Sequence, residues 1–436
     1  MKKSFLSVAA VGVAAALALT GCSGSPSGGS GGTQELTFLT HWGPDQVKML
    51  EAAGAAYAKD HPGVTVKVQA VPFGNLLSTL RTQGASPNGP AIVGIYDAWL
   101  PELVRDGLAA TAPDAVSKDV AANWPAGVVS AASSKDAVYG IPNEIDLYQL
   151  NYNKALFAAA GISEPPADWA ALKADAKKLS SGDVQGLGVI TGWNSGVVHP
   201  FLSLLASNGG TFLNKDGTAS ELTSPQAIET AKLYQSLVSD GSTDPKKSTA
   251  NANTTGPYLD SFVNGKTGMI IMANWWESAL RDGMGAKFDD VATAPIPVGP
   301  SGKTSSSISY SWMTMVNGKA DAARQQAAWD FLTYLNGPDS GKSGSSAMAD
   351  ILTSMGILPS RTSDIAAHAA QLDTPFLSSY VSALESATPF PTVLGGPAAT
   401  DALQRQLEAL INGQVDAETA MKNAARDVDA ALKAAQ

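Results

Sequence analysis

The sequence holds a single cysteine, Cys22, so no disulfide can form within one chain. Charge is sparse. Asp, Glu, Lys and Arg make up 16% of residues, 29 basic against 39 acidic, for a net charge of −10. The Lys and Arg residues are scattered, whereas a nucleic-acid binder needs them gathered on one face to neutralise phosphates; that partner is excluded. Histidine occurs only at His41, His61, His199 and His368. No H-E-x-x-H is present and no second cysteine is available, so neither a zinc-protease nor a thiolate metal site can be assembled. No G-x-S-x-G nucleophile elbow occurs. Gly265-Lys266-Thr267 and Gly302-Lys303-Thr304 match the end of a P-loop, but Asp260 and Pro297 stand where its first glycine is required. The apolar run at 8–19 is shorter than the roughly 20 residues of a membrane span, and no second candidate follows. No metal, no cofactor and no catalytic residue is expected.

What is there begins at the N-terminus. Lys2 and Lys3, the apolar run, and a small-residue ending at Cys22 read as a secretory signal. The ending Leu19-Thr20-Gly21-Cys22 resembles the lipobox of bacterial lipoproteins, in which the cysteine is lipidated and becomes the mature N-terminus. Residues 23–32, all Ser, Gly and Pro, form a flexible tether. Signal, lipid site and tether in that order describe a body anchored to the outer face of a bacterial membrane. The body is long enough for two domains, and 44% hydrophobic residues can fill their cores.

Along the body, strands are predicted at 35–40, 64–71 and 91–96, with helices at 44–60, 76–82 and 101–106 between and after them. Further strands are predicted at 187–191, 267–273 and 305–316, and helices at 154–160, 169–179, 197–207, 225–238, 320–335 and 401–434, the last broken near Asn412. Strands alternating with helices define an α/β fold with largely parallel sheets. In such sheets ligands collect beyond the carboxyl ends of the strands. Those ends carry His41-Trp42, Asp97-Ala98-Trp99, Trp193-Asn194 and Asn274-Trp275-Trp276-Glu277. Trp312 falls on the strand at 305–316. Trp169 and Trp329 fall inside helices and are expected in the core. The segment 137–154 reads as a turn, a polar loop with Asn143, Glu144 and Asp146 at its mouth, a strand, and a helix capped by Asn153. It is expected to cross between two lobes, with ligand held at the crossing.

Tyr139-Gly140-Ile141-Pro142, Leu150-Asn151-Tyr152-Asn153-Lys154-Ala155-Leu156-Phe157 and Pro166-Ala167-Asp168-Trp169 resemble the family 1 extracellular solute-binding proteins, the carbohydrate-binding components of ABC importers akin to maltose-binding protein. Phe262-Val263-Asn264-Gly265-Lys266-Thr267-Gly268-Met269, Pro295-Ile296-Pro297-Val298-Gly299-Pro300 and Gly356-Ile357-Leu358-Pro359 follow in the family's order, although Gly268 stands where the family usually has Ala. The resemblance implies a two-lobed periplasmic-binding-protein-like fold, each lobe a mostly parallel sheet flanked by helices, with the ligand cleft between them. Mapped onto this chain, lobe one is 33–146 plus 298–340 and lobe two is 147–294 plus 341–436. It also implies a carbohydrate ligand, delivery to the permease subunits of an ABC importer, and a ligand contact from the returning lobe-one strand at Tyr310.

A sugar presents C–H faces that suit aromatic planes and hydroxyls that suit Asp, Glu, Asn and Arg side chains. The ligand-binding candidates are therefore His41, Trp42, Asp97, Trp99, Asn143, Glu144, Asp146, Trp193, Asn194, Asn274, Trp275, Trp276, Glu277, Tyr310, Trp312 and Arg361. Many aromatics favour a di- or oligosaccharide, and the protein is expected to act as a monomer. Two alternatives stay open: a surface glycosidase using a carboxylate pair such as Glu144 and Asp97, and the same architecture serving a non-sugar solute.

Overall fold

The computed structural model describes residues 33–251 and 255–436. The expected signal sequence, Cys22 and the 23–32 tether lie outside the described residues. Twelve strands follow in chain order: β1 (Gln34–Thr40), β2 (Val64–Ala70), β3 (Ile92–Tyr96), β4 (Ser133–Ser134), β5 (Ala137–Val138), β6 (Gly140–Asn153), β7 (Gln185–Gly188), β8 (Thr267–Ala273), β9 (Val291–Ala294), β10 (Ile308–Val316), β11 (Leu358–Pro359) and β12 (Thr388–Pro389). All but the β4–β5 hairpin join one network, ordered β2-β1-β3-β10-β6-β8-β7.

The pairing of β6 divides that network into two half-sheets. Residues 140–147 pair with β10 on one side and β11 on the other, and residues 148–153 pair with β8 and β9. The pairs β1–β2, β1–β3 and β7–β8 are parallel. Every antiparallel pair of this network involves β6 or β10, the strands that carry the chain between the halves.

Side chains on β1 alternate between the two faces of the first half-sheet. Leu36 and Phe38 pack with Leu50, Tyr57 and Phe331, and Leu39 packs with Leu76, Leu80 and Met313 on the opposite face. Both faces are thus covered by helices, as an α/β sheet requires. The second half-sheet has its own core, which includes Leu172, Phe201, Tyr234, Met269 and Leu403. Trp169 and Trp329 are buried in these cores, as their helical positions imply. Asn153 and Asp168 cap helices Lys154–Ala159 and Trp169–Leu179, accepting from Leu156 N at 3.1 Å and Ala171 N at 2.8 Å. No helix among the described residues is long and apolar enough to cross a membrane.

The segment expected as a polar loop is instead the first half of the long strand β6. Its backbone groups are used by β10 and β11, and Asn143 is the extra residue of a bulge between Pro142, opposite Met313, and Glu144, opposite Trp312. A bulge is where a strand tolerates proline. Two stretches also sit apart from the expected lobe boundaries. Residues 298–302 stay with the second half: Trp169 N donates to Val298 O and Gly299 N to Ser207 O. Helix Ala347–Thr353 packs in the first half, with Met348, Ile351 and Leu352 in the cluster of Leu50 and Tyr57.

Candidate functional site

A cleft of about 680 Å³ opens where the half-sheets meet. Its floor is β6 and β10, which contribute Glu144, Asp146, Tyr310 and Trp312. One wall comes from the carboxyl ends of β1, β2 and β3, which supply His41 and Trp42, Phe73, and Tyr96. The other wall supplies Trp193 and Ser195 beyond β7, and Trp275 and Ser278 beyond β8. The carboxyl-end rule for parallel strands therefore operates twice, once in each half.

The aromatic side chains that line this space form two groups, one on each wall. On the first wall the His41 ring centroid lies 4.4 Å from Trp312, and Phe73 lies 5.8 Å from Trp312. On the second, Trp193 and Trp275 meet edge to face at 5.7 Å. Burial holds the His41 imidazole down at about 4, so it is neutral at ordinary pH and acts as a polar aromatic plane.

The floor is a hydrogen-bonded acid pair. Trp275 Nε1 donates to Tyr310 Oη at 2.7 Å, and the Tyr310 hydroxyl lies near enough to Asp146 to favour its charged form. Asn274 Nδ2 donates to Asp146 Oδ1 at 2.8 Å, while Asn274 Oδ1 accepts from Leu147 N at 3.0 Å. Burial pushes Asp146 up to about 7, against the lowering effect of Asn274, Glu144 and Tyr310. Burial, and then the Asp146 charge, push Glu144 well above the usual carboxylate range. Two buried carboxyls this close do not both ionise readily, so the pair tends to keep a proton near neutral pH. Glu144 Oε2 has no hydrogen-bond partner. Among the described residues no Lys or Arg lines the cleft, and no group of three His, Cys, Asp or Glu could hold a metal ion.

The structure thus brings His41, Trp42, Glu144, Asp146, Trp193, Trp275, Tyr310 and Trp312 together around one space. The other candidates stand off its lining. Asp97 lies beneath, with Oδ2 accepting from Ser311 N at 2.8 Å and burial raising its carboxyl to about 8. Trp99 backs the first wall, 6.2 Å from Phe73 and 5.7 Å from Trp312. Asn143 is turned to Asn336 at 3.4 Å. Asn194 is tied to Asp401 at 2.8 Å and Gln404 at 3.0 Å. Trp276 is fully buried against Tyr258 and Phe262. Glu277 pairs with Arg281 under the turn at Gly356, where a Cβ would fall 2.3 Å from its carboxylate. Arg361 lies over the Trp124 ring and 4.0 Å from Asp119. Asn274 acts on the cleft through Asp146.

Sequence reasoning missed Phe73 and Tyr96. Both stand at strand carboxyl ends, so the rule that selected His41 and Trp99 also covers them. Phe73 lay outside the expected 76–82 helix, which in fact begins at Phe73. Tyr96 is the last residue of the strand expected at 91–96, one position before the residues selected there.

Two α/β half-sheets, joined by a shared strand and walling a cation-free aromatic cleft, define a binding protein of the two-lobed type. The model of the bacterial extracellular solute-binding proteins matches residues 43–342, and the chain belongs to that family. It is a family of binding proteins, not of enzymes. A binding protein of Brucella abortus is 27% identical over 387 residues, covering 88% of this chain and 90% of its own. Among solved structures, the GacH receptor of Streptomyces glaucescens, known unliganded and with acarbose, superposes with a TM-score of 0.78 at 21% identity, over 92% of this chain and 99% of that one. The cyclic α-maltosyl-1,6-maltose binding protein of Arthrobacter globiformis gives 0.75 at 23% identity, over 92% and 100%.

Proposed function

We propose that this protein captures a di- or oligosaccharide in the cleft between its lobes and delivers it to the permease subunits of an ABC importer. The observation that carries the reading is the two aromatic groups, His41–Trp312 and Trp193–Trp275, lining one cleft with the carboxyls of Glu144 and Asp146. Aromatic planes receive the C–H faces of sugar rings, and the carboxyls and hydroxyls on the floor serve ring hydroxyls. Volume supports more than one ring: a cleft of about 680 Å³ lies inside the roughly 300–1,000 Å³ range of small-ligand sites. The solved neighbours named for acarbose and for a cyclic maltosyl-maltose support the same class of ligand. The absence of Lys and Arg from the lining disfavours an anionic solute.

In this reading lobe one is 33–146 with 303–368, since Arg361, Asp364 and His368 are held by Trp124, Ser346 and Asp350, and lobe two is 147–302 with 369–436. The hinge is β6 at Leu147 and the two later crossings. A ligand that touches both walls at once binds the closed form better than the open one, and that difference drives closure. Cys22 anchors the monomer to the outer face of the membrane through its lipid.

Titration calorimetry against a panel of mono-, di- and oligosaccharides tests the proposal. Micromolar or tighter binding of at least one di- or oligosaccharide is expected. Silence toward every sugar, with tight binding of another solute class, overturns it.

A further inference from the structure

The floor of the cleft is short of positive charge. Glu144 and Asp146 are 4% and 1% exposed, stand two residues apart on β6, and line the space where a ligand would sit. Asp97 lies close enough beneath to repel Asp146. The neighbours on every side are acidic or neutral. From β10 comes Tyr310, from β6 itself Tyr148, and from the turn after β8 Asn274. Glu277 on that turn is already paired with Arg281. His199 faces Tyr310 with ring centroids 5.0 Å apart, and burial lowers it to about 3, so it stays neutral. Arg361, the cation next to β11, is turned away to Asp119.

Asp146 has a donor in Asn274, whose Nδ2 stands 2.8 Å from Oδ1. Glu144 has none, and its Oε2 is without a partner. A neutral sugar hydroxyl would hydrogen-bond the Glu144 carboxyl, which lines the cleft, but leave the charge of the pair uncompensated. An ammonium group gives both.

We propose that the sugar bound here carries a basic nitrogen, a protonated amine on a ring, set against the Glu144–Asp146 pair. This deepens the carbohydrate reading above and rests on it. Without ligand the pair keeps one proton. When the ammonium enters, R–NH3⁺ takes the place of that proton, which leaves to the buffer, and the net charge of the site is preserved. No bond in the sugar forms or breaks.

The test is calorimetry of the full chain with the disaccharide of β-1,4-linked glucosamine, its N,N′-diacetylated form, and maltose, at neutral pH in two buffers of different ionisation enthalpy. The free-amine disaccharide should bind about tenfold or more tighter than its acetylated form, the gain of a charge-assisted over a neutral hydrogen bond. Its apparent enthalpy should differ between buffers by an amount that reports proton release, and that of the acetylated form should not. Glu144→Gln should bring the two affinities within about threefold. Asp146→Asn should do the same, so a folding defect in one variant leaves the other to decide. Acetylated or neutral sugar bound as tightly as the amine, with no proton released, overturns the proposal and leaves the carbohydrate reading standing. No binding by any of the three overturns the proposal, and the wider sugar panel then decides the carbohydrate reading.

Discussion

Trp275 and Trp276 are neighbours in sequence with opposite surroundings, so replacing each by Ala should separate binding from stability. Trp276 is fully buried, 5.0 Å from Phe262 and 6.3 Å from Tyr258 between ring centroids. A buried Trp removes about 200 Å² from water, which at about 25 cal/mol per Å² is about 5 kcal/mol. Measured Trp→Ala losses of about 3–5 kcal/mol agree with that scale. Trp276→Ala should therefore lower unfolding free energy by about 4 kcal/mol in urea titration, and Trp276→Phe, which keeps a ring, by about half as much. The folded fraction of either should bind sugar with wild-type affinity within about threefold. Trp275 is half-buried on the cleft wall, and its indole N–H holds the Tyr310 hydroxyl at 2.7 Å. Losing that bond costs about 1 kcal/mol and losing a stacking plane about 1 kcal/mol more. Trp275→Ala should raise Kd about 30-fold with a stability loss under about 2 kcal/mol. Calorimetry and urea unfolding on the same preparations read both quantities. A stable Trp276→Ala protein with lost affinity, or Trp275→Ala with unchanged Kd, would refute the reasoning.

Asn274→Ala removes the acceptor for Leu147 N and the donor to Asp146 at the junction of β6 and β8, and should cost about 2–4 kcal/mol in urea unfolding because two buried partners are orphaned; a loss below about 0.5 kcal/mol would contradict the role. Asp97 is protonated in the fold between its ordinary 3.8 and about 8, a window in which the unfolded chain has already released that proton. Its contribution to stability is therefore whole below 3.8 and is lost as pH rises toward 8, with a slope of at most about 1.4 kcal/mol per pH unit. Asp97→Asn, which still accepts from Ser311 N, should flatten the decline between pH 5 and pH 8; an unchanged slope sinks the assignment. His199 works in the opposite sense: burial lowers it to about 3, so stability falls as pH drops below about 6.5, and His199→Phe should remove part of that acid loss.

The fold was legible where hydrophobic pattern and chain punctuation agree. The strand at 267–273 and the helices capped by Asn153 and Asp168 stand where their residues place them. The error at 140–146 has a physical cause. Asn143, Glu144 and Asp146 look like a solvated loop because carboxyls are rarely buried, and only the pairing with β10 and β11 makes them strand. The same limit governs the site. Position at a strand's carboxyl end located His41, Trp42, Trp193 and Trp275. It could not tell Trp275 from Trp276, because successive residues entering helix Trp276–Met284 turn by about 100° and point one to the cleft and one to the core. Asn194 and Arg361 were drawn away by Asp401, Gln404 and Asp119, partners remote in sequence.

Hydrogen–deuterium exchange with and without the tightest-binding sugar tests the location of the site most directly. Protection should appear on both walls together, at 41–43, 73–75 and 275–279, as a closing cleft requires. Protection confined to the groove beside Asp168, Lys173 and Glu229, with both walls unchanged, would contradict a sugar site between the lobes.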